Sequence, residues 1–107
     1  MRLLLVDDSD LARDLVITLL EEVEANVELT WRGTSQAGFE ALASGDYDVC
    51  LLDHQLGADS GLDFLRTAQS LKLRTPIIML TGNATKALDL EAMRAGASDF
   101  LVKGDFS

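Results

Sequence analysis

Short apolar runs alternate with longer stretches of helical period along this chain, and that alternation constrains the fold more than any other feature. It is the pattern of βα units laid around a mostly parallel sheet. The runs are Arg2 to Val6, Val27 to Arg32, Asp48 to Leu52, Pro76 to Leu80 and Ser98 to Val102. Four of the five are almost continuously apolar, as strands buried on both faces must be, whereas Val27 to Arg32 alternates and suits a sheet edge. Between them, Leu11, Ala12, Leu15, Val16, Leu19, Leu20 and Val23 form a helical stripe, with Ser9 placed to cap its start. Ala37, Ala41 and Leu42 mark a second helix, Leu62, Leu65 and Ala68 a third, and Ala87, Leu88 and Ala92 a fourth. Gly45 and Gly96 stand where left-handed helix ends are expected. The pattern predicts an α/β fold, a doubly wound sheet of five parallel strands with four helices. A helix following the last strand would lie beyond Ser107.

Composition narrows the partners. The 107 residues, enough for one domain, carry 9 Lys plus Arg against 18 Asp plus Glu, a formal net charge of −9. Neutralising nucleic-acid phosphates needs clustered basic residues, and an anionic membrane surface needs the same, so no direct nucleic-acid or membrane binding is expected. The single cysteine, Cys50, cannot close an internal disulfide or complete a CxxC metal site, and within an apolar strand it reads as inert packing. The opening Met1-Arg2-Leu3-Leu4-Leu5-Val6 is too short for a signal peptide before Asp7 and Asp8 intervene. With no apolar stretch of about 18 residues, the expectation is a cytoplasmic domain.

The chemistry gathers where apolar runs end. Asp7 and Asp8 follow the first run, Asp53 the third, Thr81 the fourth and Lys103 the fifth. Parallel strands point the same way, so these groups collect on the rim where ligands bind in open α/β sheets. Three carboxylates on one rim repel one another unless they protonate or share a cation. Hard oxygen donors without a His or Cys cluster suit Mg²⁺, which takes one or two carboxylates and phosphate oxygens. Lys103 adds a point charge and Thr81 a hydroxyl donor for a phosphoryl group, so the set reads as phosphoryl transfer by positioning and neutralisation. A carboxylate can itself accept the phosphoryl group as an acyl phosphate.

With these residues in order, the chain resembles the receiver domain of bacterial two-component response regulators. The resemblance rests on Asp7-Asp8, Asp53, Thr81-Gly82 and Phe100-Leu101-Val102-Lys103, supported by Gly45-Asp46-Tyr47-Asp48-Val49, Gly61 and Ala95-Gly96-Ala97, and covers essentially the whole chain. It implies a flavodoxin-like sheet of order 2-1-3-4-5, and residues 1–107 as a receiver domain at the N-terminal part of a longer multidomain signalling protein. It implies that Asp53 accepts a phosphoryl group from a phosphohistidine of a sensor histidine kinase or histidine phosphotransfer protein. Mg²⁺ would be held by Asp8, Asp53 and the Gln55 backbone carbonyl, with Asp7 acting through a water. Lys103 would pair with Asp53 and then with the phosphoryl group; Thr81 and Phe100 would be the switch, passing the change to an output domain or partner protein. In the family the face built by the fourth helix, fifth strand and fifth helix often mediates pairing, so a homodimer is a further implied partner, although that fifth helix would lie beyond Ser107. The module is not an enzyme in its own right.

Gly57 and Gly104 depart from the family, standing where prolines are usual, and the latter removes the X–Pro bond that makes a cis peptide cheap. They motivate one alternative, a pseudo-receiver that binds partners without phosphorylation. Another alternative is a phosphatase of the haloacid-dehalogenase type, from Asp8-Ser9-Asp10 after a strand, against which Ala12 stands where Thr or Val is expected. Singly, each residue has a plainer reading: Asp7-Asp8 as a turn, Thr81 as a cap, Lys103 as a surface charge and Phe100 as half-buried core. His54, the only histidine, has nothing in the sequence to orient it and is assigned no role. Trp31, on the edge strand, is a candidate partner contact.

Overall fold

The computed structural model of the chain describes residues 1–22, 26–56, 59–82 and 85–102. Within them the elements run β1 (Arg2–Val6), α1 (Asp10–Glu22), β2 (Glu28–Arg32), α2 (Ser35–Ser44), β3 (Val49–Asp53), β4 (Gln55–Leu56), β5 (Asp59–Ser60), α3 (Gly61–Ser70), β6 (Ile77–Thr81), α4 (Lys86–Arg94) and β7 (Asp99–Val102). Five strands form one parallel sheet in the order β2-β1-β3-β6-β7, which is 2-1-3-4-5 when the strands of that sheet alone are counted. The alternating strand β2 is an edge, as its pattern requires. Sequence periodicity did not reveal β4 and β5, a two-residue antiparallel pair just past β3. Asp53 and Thr81 are the last residues of their strands rather than the first of the loops, because their backbones still pair, Asp53 with Leu80 and Thr81 with Val102.

Side chains of a strand alternate between faces, and here that alternation builds two cores. Leu4 and Val6 of β1 join Cys50, Leu52 and Met79 under Leu42 of α2, Phe64 and Leu65 of α3 and Ala92 of α4. Leu3 and Leu5 turn the other way, to Val16 of α1 and Leu80. Phe64, absent from the expected stripe, is 2% exposed and stacks on Phe39 with ring centroids 4.1 Å apart. Burial of such a ring contributes about 2–3 kcal/mol.

Side-chain hydroxyls start three helices: Thr34, Ser60 and Thr85 accept from the amides of Ala37, Leu62 and Leu88. Gly96 ends α4 at φ +109°, a conformation glycine adopts freely. Gly45 does not do the same for α2. Its backbone is extended, φ −122° and ψ 157°, and its N–H closes the last turn on Ala41. A Cβ there would lie 2.7 Å from the Tyr47 ring and 3.2 Å from the Ala41 carbonyl oxygen, so a larger residue would have to push the ring aside.

Three expectations of burial are overturned. Leu11 is 83% exposed at the start of α1, and Ala87 is exposed because the inward line of α4 runs through Leu88, Ala92 and Ala95. In strand β7, the second edge, Asp99 and Leu101 alternate onto the face opposite Phe100 and the α4 core and are exposed, where burial on both faces was expected. Val23 of the first stripe, and Gly57, Lys103 and Gly104, lie outside the described residues.

Candidate functional site

Register alone brings the acidic residues together. Val6 pairs with Leu52, so Asp7, one step beyond Val6, and Asp53, one step beyond Leu52, finish side by side on neighbouring strands. This is also where strand order reverses, β1 leading outward to β2 and β3 to β6, the crevice in which doubly wound sheets bind ligands. Thr81 ends the next strand. One carboxylate oxygen from each of Asp7, Asp8 and Asp53 falls within 4.8 Å of the others. Asp7 is fully buried and Asp53 and Thr81 are 8% and 2% exposed, while Asp8 is exposed and leaves the group open to solvent.

Two backbone corners hold these groups. At the first, the Asp7 N–H donates to the Arg32 carbonyl at 3.0 Å and the Asp7 carboxylate accepts from the Ser9 amide at 2.9 Å. At the second, His54 N–H donates to Leu80 O at 2.9 Å, and His54 O accepts from the Gly61 amide at 2.8 Å. The second corner explains why Gly61 belongs to the pattern. A Cβ at Gly61 would lie 2.5 Å from the Asp53 carbonyl oxygen and 3.0 Å from His54 Cα, so only glycine lets the start of α3 press against the Asp53 turn. His54 thus contributes its backbone N–H and carbonyl to this corner.

Oxygen ligands about 2.1 Å from an octahedral Mg²⁺ lie about 3–4 Å apart, so three carboxylates within 4.8 Å fit such an ion with at most a small closure or one bridging water. All donors are hard oxygens, which suits that ion. Gln55, in β4, follows Asp53 by two positions with its side chain exposed, and Phe100, in β7, is half-buried against the larger core. Lys103 follows Val102, the register partner of Thr81, in sequence but lies outside the described residues.

Trp31 is not the exposed partner contact its edge position suggested. Its indole Nε1–H donates to the Asp7 carbonyl at 2.8 Å and its ring is half-buried beneath the Arg13 guanidinium. The missed signal was positional: Trp31 stands one residue before Arg32, which ends the edge strand and pairs with Val6. Cys50, inside β3, is fully buried and its thiol is pushed up to about 12 by desolvation, as an inert packing residue should be. No described helix is long and apolar enough to cross a membrane.

A doubly wound α/β domain with an acidic cluster at its strand-order reversal is the class of protein that fold and site define. The family described as "Response regulator receiver domain" matches residues 3–105, and the chain belongs to that family. The transcriptional regulatory protein DltR of Streptococcus agalactiae is 34% identical over 103 residues, 96% of this chain but 45% of that protein, so the chain spans about half the length of such relatives. Among solved structures, the Francisella response regulator 1452 receiver domain superposes with a TM-score of 0.87 at 23% identity, covering 99% of this chain and 85% of that one. The response regulator TrrA of Thermotoga maritima, in complex with Mg²⁺ and BeF, superposes with a TM-score of 0.80 at 29% identity, covering 95% and 85%. Receiver domains of this kind are signalling modules of response regulators.

Proposed function

We propose that the chain is a phosphorylation-dependent switch in which Asp53 takes a phosphoryl group from a phosphohistidine of a sensor histidine kinase or phosphotransfer protein. The observation that carries this reading is the convergence of Asp7, Asp8 and Asp53 within 4.8 Å at the end of β1 and β3. Asp53 is the acceptor because it is the carboxylate on β3, between Asp7 and the strand that ends in Thr81. One of its oxygens forms the P–O bond as the P–N bond to the donor imidazole breaks, and the imidazole takes up a proton. Asp8, Asp53 and the Gln55 backbone carbonyl hold Mg²⁺, with Asp7 reaching it through a water. The ion supplies positive charge that offsets repulsion between the carboxylates and the incoming phosphoryl oxygens.

Thr81 donates its hydroxyl to a phosphoryl oxygen, and Lys103 pairs with the same group. Thr81 and Phe100 sit on adjacent strands, β6 and β7, so a pull on one reaches the other through the ladder. The change then passes to an output domain or partner protein, as a local electrostatic event biasing a two-state element. TrrA, crystallised with Mg²⁺ and BeF, supports this ligand chemistry, and DltR, a transcriptional regulatory protein, supports an output beyond the residues present here.

The test is a titration with Mg²⁺ and then beryllofluoride, followed by backbone amide shifts. Saturable shifts at Thr81 and Phe100 in the wild type, lost in Asp53→Asn, are expected. Mg²⁺ binding without any response to beryllofluoride would turn the reading into a pseudo-receiver. No response to either would end it.

A further inference from the structure

The β1–β2 ladder ends at the Val6–Arg32 pair, yet the Asp7 backbone stays tied to the β2 side beyond it. Its N–H donates to Arg32 O at 3.0 Å, and its carbonyl, which leaves the strand in the same direction, accepts the Trp31 indole N–H at 2.8 Å. After Arg32 the chain turns away through Gly33 into α2, so the indole stands in for the next rung of the ladder. The ring is held from two sides. Arg13 of α1 places its guanidinium 4.8 Å from the ring centroid, and a Cβ at Gly33 would come within 3.3 Å of the indole Cζ2.

That hydrogen bond acts on more than Asp7. The peptide joining Asp7 to Asp8 is planar, so its oxygen, its nitrogen and the Cα of Asp8 move as one body. Asp8 lies outside every strand and its side chain is exposed, so this plane sets where its carboxylate starts toward Asp53. We infer that Trp31 is a positioning residue for the cation site, its indole N–H fixing the Asp7–Asp8 peptide so that Asp8 faces Asp53. The inference rests on the reading of this cluster as a Mg²⁺ site.

Trp31 is the only tryptophan, so growth on benzothienylalanine replaces it alone with a ring of nearly the same shape whose sulfur cannot donate. Mg²⁺ titrations of the wild type, this isostere and Trp31→Phe, followed by the amide shifts of Asp8 and His54, test the inference. The expected result is a Mg²⁺ midpoint raised about fivefold in both replacements, equivalent to about 1 kcal/mol for the lost bond. A merely structural role would lower thermal stability and leave the Mg²⁺ midpoint of the folded protein unchanged. A midpoint for the isostere within about twofold of a saturable wild type overturns the role of Trp31 while leaving the cation site in place. No saturable shift in the wild type overturns both. Should Trp31→Phe fail to fold, the isostere decides.

Discussion

Gly61→Ala sets two effects of opposite sign against each other at the turn behind Asp53. The added methyl would lie 2.5 Å from the Asp53 carbonyl oxygen, 3.0 Å from His54 Cα and 3.1 Å from the His54 oxygen, all of them backbone atoms. The first contact is about 1 Å inside ordinary separation, and no side chain can rotate away to relieve it. Either the start of α3 retreats or the Asp53–His54 turn moves, and both stretch the 2.8 Å bond from the Gly61 amide to His54 O. Overpacking of this kind costs about 1–3 kcal/mol, and the hydrogen bond about 1 more. Against that, alanine is favoured over glycine in a helix by up to about 1 kcal/mol. The net expectation is a loss of about 2 kcal/mol, or roughly 10 °C in thermal midpoint for a domain of this size. Urea unfolding followed by circular dichroism measures it. The control is Gly82→Ala, where nothing lies within 4 Å of a new Cβ and the change should be within about 0.5 kcal/mol or stabilising. If Gly61→Ala matches this control, helix propensity has won and the close approach is not what requires glycine.

Cys50 links stability to alkaline pH. Its thiol is raised by burial from 9.0 to about 12, so the neutral form is favoured by folding. That contribution is fully present below about pH 9 and falls by about 1.4 kcal/mol per pH unit between 9 and 12. Cys50→Ala, though less stable at neutral pH, should lack this part of the slope in urea titrations at several pH values; an equal slope would show the thiolate to be tolerated. Gly96→Ala should cost about 1–3 kcal/mol through its φ of +109°, since the nearest atom, on Gln69, would be 3.4 Å away and sterically acceptable. An unchanged urea midpoint would mean that the end of α4 refolds into another conformation. Thr34→Ala removes the oxygen that accepts the Ala37 amide and should cost about 0.5–2 kcal/mol, again read by urea midpoint.

Most of the sheet was legible because strand patterns are local. Leu3-Leu4-Leu5-Val6 announces a strand buried on both faces, and the alternation of Glu28 to Arg32 announces an edge. Helix faces were harder to read. Leu11 fitted the periodic stripe of α1 yet is 83% exposed, while Phe64, outside the expected line of α3, fills the larger core. Periodicity says that a helix has an apolar side, but its exact rotation depends on what the sheet presents to it. The β4–β5 pair left no pattern because two residues are too few to show a period.

By itself, the sequence determined that five strands and four helices would alternate, that the sheet would be parallel, and that Asp7, Asp8, Asp53 and Thr81 would therefore share one rim. These follow from residue order and from the direction parallel strands must take. Only the tertiary structure decided the distances, because they depend on register between segments remote in sequence: Val6 against Leu52, which sets Asp7 beside Asp53, and Asp53 against Leu80, which brings up Thr81. It alone turned Trp31 from an apparent surface aromatic into the donor that holds the Asp7 carbonyl, 24 residues away along the chain. It also gave Gly61 its reason, a backbone approach that no local pattern records.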